Sequence, residues 1–318
     1  MKIMYTDTDH PSLDIERKVF ADAGLEEFTV TQCKTEDDVI ANCKDADILI
    51  NQYAPITARV MDNLPNFKMV VRYGVGVDNI EVAEAVKRGI TVCNVPDYGT
   101  NEVADHALAL MLALTRKIVY MNEVTKTEKW DCTASFPIQR HATQTVGIIG
   151  LGRIGKAFAD RVHALGCTII ACDHHLEPGE VHACGYVTGA TLDEVIEKSD
   201  IISIHCPPVK GQYMLDAEAF SRMKKGVYII NDARGGIIDE AALDKALEDG
   251  TVAGAALDCV KGEPMQPGCP IQRHKNLLVT PHMAWYSEQA AVDLKRKVAE
   301  QAVKFALTGT VDYPVYKN

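Results

Sequence analysis

The 318-residue chain has no block of lysine or arginine, and its 44 acidic against 33 basic side chains give a formal charge of -11. Nucleic acid or an anionic membrane surface would repel such a chain, so neither is expected as a direct partner. Long hydrophobic runs are also missing. The longest nearly apolar stretch, Ala107 to Leu114, falls far below the roughly 20 residues that cross a bilayer, so no membrane span is expected. The opening MKIMYTD contains no apolar signal segment. The ten cysteines form no CxxC pair and no regular framework, which argues against a disulfide scaffold and predicts free thiols in a reducing cytoplasm. No internal repeat and no low-complexity linker occurs. A small-molecule partner fits these absences best.

What is present is an alternation of short β-branched or apolar runs with amphipathic segments, the pattern of a parallel sheet covered by helices on both faces. It runs through the chain twice, and the length itself favours two domains. Strands are expected at Lys2–Thr6, Phe28–Val30, Ala46–Asn51, Met69–Arg72 and Thr91–Asn94. A second series follows at Thr145–Ile149, Thr168–Cys172, Ile201–His205, Tyr228–Asn231, Ala253–Asp258 and Leu277–Val279. The expected class is therefore α/β, with two doubly wound parallel-sheet domains. Between the two series, Asn101 to Arg116 carries apolar side chains most of the way round, so it must be covered on several sides. This predicts a homodimer with that helix near the interface. A last helix, about Ser287 to Leu307, returns the chain to the first domain. The smaller, flavodoxin-like domain then comprises residues 1–100 plus 288–318, and a Rossmann domain, 101–287, is inserted into it.

The strongest chemical signal is TVGIIGLGRIG, residues 145–155. A GxGxxG pattern alone is weak, but this one follows a buried-type strand and opens a helix, and the next strand ends in Asp173, 18 residues beyond Gly155. Gly150 permits the tight turn, Gly152 lets a pyrophosphate approach the backbone, and Gly155 lets helix and strand pack closely. With Arg153 and Ile154 they would present the helix N-terminus to the phosphates. Asp173 is expected to accept hydrogen bonds from the adenosine ribose and to repel a 2′-phosphate, which favours NAD over NADP. His174, His175, His182 and Cys184 match no common zinc spacing, and no metal is expected.

Three further strands end in chemistry-bearing residues: Arg234 in NDARGG, Glu263 in ALDCVKGEP and His282 in TPHMAWYS. In an open α/β sheet the carboxyl edge is where ligands bind, so the three are expected to share one crevice.

On these stretches, together with VRYGVGVDNI, the chain from about Met69 to Tyr286 resembles the D-isomer-specific 2-hydroxyacid dehydrogenases. Pro281 to Ala290 is similar to the branch that contains the C-terminal-binding proteins, NAD(H)-binding corepressors on the same scaffold. The resemblance implies that a small 2-oxo acid is held by Arg234 and by backbone N–H groups of the turn Tyr73-Gly74-Val75-Gly76. It implies that His282 supplies the proton, and that Glu263 raises the imidazole pKa and fixes its tautomer. Val103, Cys206, Pro207, Ala233 and Asp258 match places where the family touches the cofactor. Asp232 departs from the usual Thr or Ser, and strand alternation would set it on the side of Arg234, where the two could pair. Trp285 either walls the substrate pocket or packs the following helix. No cluster of Lys or Arg is there for a phosphate. Two functions follow from the resemblance: an NAD-dependent oxidoreductase interconverting a 2-oxo acid and its D-2-hydroxy acid, or an NAD(H)-sensing corepressor-like binding protein.

Overall fold

The computed structural model describes residues 1–25, 28–127 and 130–316, which fall into two compact units, Met1–Gly99 with Ser287–Asn318 and Thr100–Tyr286. The first unit begins with β1 (Ile3–Tyr5), α1 (Asp14–Asp22), β2 (Thr29–Val30), α2 (Glu36–Asn42) and β3 (Ile48–Asn51). It continues with α3 (Ala58–Asn63), β4 (Met69–Arg72), α4 (Val82–Lys87) and β5 (Thr91–Cys93). Its five strands are all parallel, in the order β2-β1-β3-β4-β5. Each of the expected strands except Met69–Arg72 exceeds the observed one by a residue or two at its ends, where the ladder gives way to loops.

The second unit opens with α5 (Thr100–Thr115) and α6 (Ile118–Thr127), followed by β6 (Thr145–Ile149), α7 (Arg153–Ala164), β7 (Thr168–Cys172) and β8 (Val187–Gly189). Then come α8 (Leu192–Lys198), β9 (Ile201–Ile204), α9 (Ala217–Arg222), β10 (Val227–Asn231), α10 (Glu240–Asp249), β11 (Val252–Leu257) and β12 (Leu277–Val279). The chain closes with α11 (Glu288–Thr308), which belongs to the first unit. The second sheet is parallel throughout, in the order β12-β11-β10-β9-β6-β7-β8. β8 escaped the sequence reading because Val-Thr-Gly is too short to show a period.

Strands β6, β9, β10 and β11 lie in the middle of this sheet, and their buried residues read as continuous apolar runs because helices cover both faces. α5 buries Ala104, Ala107, Leu110, Met111 and Leu114 and packs on α7, β10 and β11. Much of its apolar circumference is thus covered within its own unit. Strand order reverses between β6 and β9: from β6 the chain runs outward to β7 and β8, then returns to place β9 on the other side. A crevice opens at such a reversal because successive connections leave in opposite directions.

Candidate active site

The glycine corner lies at this reversal. Gly150 takes a left-handed φ of +93°, and a β-carbon there would meet Cys206 Cβ and the His205 carbonyl at 2.8 Å. At Gly155 an added β-carbon would sit 2.1 Å from the Gly150 carbonyl oxygen, so any side chain would force α7 away from β6. Gly152, the N-cap of α7, faces open space and offers no capping side chain, which leaves the first-turn N–H groups available to an anion. Arg153 is exposed and Ile154 partly buried on that turn; Val103 is partly buried in the first turn of α5. Cys206 and Pro207 follow β9 after His205, and Cys206 lies next to Gly150. These features fit a dinucleotide pyrophosphate. Asp173 stands one residue past β7, where its Oδ2 accepts the Leu151 N–H at 2.7 Å and its Oδ1 accepts the His175 N–H at 2.9 Å. Its carboxylate therefore braces the corner itself, a role that spacing alone did not reveal. Each oxygen keeps a second lone pair for a ribose hydroxyl. His182 and Cys184 bond to each other in an exposed turn.

At the opposite strands, Asn231 clamps the turn that carries Arg234: its Nδ2 donates to the Arg234 carbonyl at 2.9 Å and its Oδ1 accepts the Ala233 N–H at 3.1 Å. Arg234 Nη1 donates to the Ala233 carbonyl at 2.7 Å. Glu263 Oε1 accepts the Val260 N–H at 3.1 Å, and Oε2 lies 2.7 Å from His282 Nδ1. Burial pushes the Glu263 pKa up. The His282 hydrogen bond and charge, the Val260 N–H and the Arg234 charge outweigh it, and the net value falls below the ordinary one. An ionised Glu263 fixes the proton on Nδ1 and leaves His282 Nε2 as the working nitrogen. Cys259, which sequence reasoning missed, is buried beside the pair, and its thiol, the Glu263 carboxylate and the His282 ring offer ligand-type atoms within 4.8 Å of one another. Burial above all raises the Cys259 pKa, so the thiol stays protonated, and the Glu263–His282 bond already occupies the other two groups. A carboxylate held against Nδ1 in this way equips the ring to move a proton at Nε2.

Two expectations need correction, and Asp258 has a further role. Asp258 is buried and its oxygens are engaged within the protein: Oδ1 accepts from Thr280 Oγ1 at 2.6 Å and the Met283 N–H at 2.9 Å, and Oδ2 accepts the Ala284 N–H at 2.9 Å. It thus anchors the loop that presents His282, a role that the sequence did not reveal, while Oδ2 keeps a second lone pair. Because Thr280 donates to Asp258, its oxygen accepts from His106 Nε2, 3.0 Å away. The backbone needs this fastening, since His282 sits at φ +51°, a conformation unfavourable for a non-glycine residue. Thr280 was quoted in the motif without a role, and nothing local signals His106.

Asp232 does not pair with Arg234. β10 ends at Asn231, so strand alternation no longer governs residues 232–234, and the Asp232 side chain turns inward to His205, 3.4 Å away. In the first unit, the Tyr73 N–H is bonded to the Asn51 carbonyl and the Gly74 N–H to the Arg72 carbonyl, while the Tyr73 hydroxyl donates to buried Glu16. Neither Tyr73 nor Gly74 has its N–H available for a substrate. Val75 is exposed and Gly76 partly buried. Trp285 is partly buried and meets Tyr286 edge-on, with ring centroids 5.5 Å apart.

Residues 108–284 match the family model "D-isomer specific 2-hydroxyacid dehydrogenase, NAD binding domain". The chain is 36% identical over 275 residues to a glyoxylate reductase of Thermofilum pendens, covering 85% of this chain and 80% of that protein. It is 38% identical over 260 residues to a D-3-phosphoglycerate dehydrogenase of Bacillus subtilis, covering 81% of this chain but spanning only about half, 49%, of that relative. Among solved structures, D-lactate dehydrogenase from Aquifex aeolicus, complexed with NAD and lactic acid, superposes with a TM-score of 0.88 at 25% identity over 100% of both chains.

Proposed function

Since the chain belongs to the D-isomer-specific 2-hydroxyacid dehydrogenase family, we propose that it reduces a small, unphosphorylated 2-oxo acid to the D-2-hydroxy acid, and runs the reverse reaction, with NAD(H) as cofactor. The observation that carries this reading is the 2.7 Å bond between Glu263 Oε2 and His282 Nδ1. When bound, the nicotinamide supplies or accepts the hydride. Val103, Cys206, Pro207, Ala233 and Asp258, with the glycine corner and Arg153 and Ile154, would hold the cofactor. The Asp173 charge beside Leu151 supports NAD over NADP, because a 2′-phosphate there would meet a like charge.

Arg234 engages the substrate carboxylate with its planar fork and polarises the oxo group, stabilising negative charge on that oxygen. His282 Nε2 delivers the proton to the same oxygen, while Glu263 holds Nδ1–H and stabilises the imidazolium that exists before transfer. In the first unit, which we assign as the substrate domain, the N–H groups of Val75 and Gly76 take the carboxylate, since those of Tyr73 and Gly74 are engaged. Trp285 forms the apolar wall.

Measuring NADH oxidation across a panel of 2-oxo acids tests the reading. At least one acid should turn over, and His282→Ala should lose about 10²-fold or more in kcat while keeping NADH affinity; retained turnover would remove His282 from the mechanism. A binding role like that of the C-terminal-binding proteins rests on the likeness of Pro281–Ala290 alone, and NADH-dependent peptide capture without turnover of any acid would favour it.

We place the protein in the cytoplasm, which its ten free cysteines support. A homodimer is supported by apolar surface on and near α6: Ile118, Val119 and Tyr120 are exposed, Trp130 is 93% exposed, and Phe136 is exposed with its carbonyl 3.3 Å from Lys117 Nζ. Such side chains call for a cover of the same kind. Sedimentation should give twice the 34.8 kDa chain mass, and a Trp130→Glu variant should shift it toward the monomer.

A further inference from the structure

Asp232 and His205 follow neighbouring strands, β10 and β9, and have no part in the chemistry above. Their side chains are 0% and 1% exposed, with Asp232 Oδ1 3.4 Å from His205 Nδ1. Neither carboxylate oxygen nor Nδ1 makes a hydrogen bond of ordinary geometry in the heavy-atom arrangement. The other ring nitrogen, Nε2, lies 2.9 Å from Ser203 Oγ, and Ser203 is fully buried. The order Ser–His–Asp is that of a hydrolase triad, but no substrate reaches a serine without exposed surface.

Counting protons selects among the arrangements open to this buried row. An ionised Asp232 beside a neutral His205 would bury a net negative charge near Asp258, which already acts on it with like sign. One more proton makes the pair neutral. Placed on His205 it leaves two separated charges out of water; placed on Asp232 it leaves none. Burial, the leading cause in both cases, pushes Asp232 well above its ordinary pKa and His205 down to about 3. That arrangement directs Nε2–H to Ser203 Oγ and leaves a neutral Asp232 carboxyl facing Nδ1 at 3.4 Å.

Each end of this row touches the site. The His205 N–H donates to the Ile149 carbonyl at 2.7 Å, its carbonyl abuts Gly150, and its ring packs on Phe158 of α7 at 5.0 Å. Asp232 leads directly into the turn that Asn231 clamps around Arg234. We propose that a protonated Asp232, His205 and Ser203 form a proton-ordered chain tying the glycine corner to the Arg234 turn, so that Asp232 and His205 are positioning residues of the dehydrogenase. Only the kinetic part of this inference rests on the proposed function.

The other ionisable groups facing the row are Asp258 and Cys259, both after β11. Both remain in an Asp232→Asn variant, which keeps a donor of the same shape without the titrating proton, so a comparison with wild type isolates the Asp232 proton together with its coupling to them. Infrared spectra at neutral pH should show a protonated-carboxyl C=O band, shifted in D2O and absent from Asp232→Asn. The ratio of wild-type to variant folding constants should fall about tenfold for each pH unit above the ordinary aspartate value of 3.8, because the unfolded chain releases that proton and the folded one keeps it. No band together with a pH-independent ratio means an ionised Asp232 and overturns the proposal.

For positioning, Asp232→Asn should stay within about threefold of wild type in kcat/KM, whereas Asp232→Ala should lose roughly tenfold or more, through KM for the acid, by releasing the Arg234 turn. If Ala fails to fold, Asp232→Ser, whose hydroxyl is too short to reach Nδ1, replaces it. Equal kinetics in Asn and Ala would refute the positioning role. If no 2-oxo acid turns over, the functional reading fails, and positioning is judged instead by NADH affinity, which Ala should weaken and Asn should spare.

Discussion

Replacing Asp258 tests how the loop bearing His282 is held. Its carboxylate accepts one hydroxyl and two backbone N–H bonds, all from residues 280–284. A hydrogen bond to a charged acceptor contributes about 1.5–3 kcal/mol, and a buried donor left without a partner costs about 1–3 kcal/mol. In Asp258→Asn the amide oxygen can keep Thr280 and Met283 while its NH2 confronts the Ala284 N–H, so one bond becomes a donor–donor contact, at a cost of about 2–3 kcal/mol. Asp258→Ala loses all three bonds and orphans the buried Ala284 N–H, for roughly 3–5 kcal/mol. The loss should not be confined to stability. With the anchor gone, His282 can relax from its φ of +51°, and a displacement near 1 Å of a proton donor reduces turnover about 10²-fold. Urea unfolding and steady-state NADH oxidation measure the two effects, while NADH affinity, set largely by the glycine corner, should stay within a few-fold. An Asn variant with wild-type urea midpoint and kcat would show that the loop holds its shape without Asp258, and the argument would fail.

Glu263→Gln should reduce kcat by roughly 10- to 100-fold, since the amide still orients Nδ1–H but no longer offsets an imidazolium. With its pKa held below the ordinary 4.5, Glu263 keeps the stabilising charge above that value and loses it only as pH falls through the lower, folded value. Wild-type kcat should therefore show no acid limb from this group near pH 4.5, and a limb there would contradict the ionised assignment. Gly155→Ala should weaken NADH binding by about tenfold or more, because its β-carbon meets the Gly150 carbonyl at 2.1 Å and must push α7 from the corner; isothermal titration would detect unchanged affinity, the contrary result.

The sequence by itself determined the elements and the corner. Central strands such as Thr145–Ile149 and Thr168–Cys172 are legible because a strand buried on both faces is an unbroken apolar run, and Gly150, Gly152 and Gly155 are legible because the conditions they satisfy lie within a few residues of one another. It also placed Arg234, Glu263 and His282 after strands of one parallel sheet, hence at one edge. Tertiary structure alone decided which way side chains turn once a strand has ended. Asp232 left the period-two pattern and met His205, 27 positions earlier in the chain; Asp258 fastened the loop of His282; His106 reached Thr280 from a helix 174 residues away. Sequence spacing carries information about residues that share one element's period, whereas these partners share only a place in space, set by strand order and by the need of each buried charge or proton to find its complement.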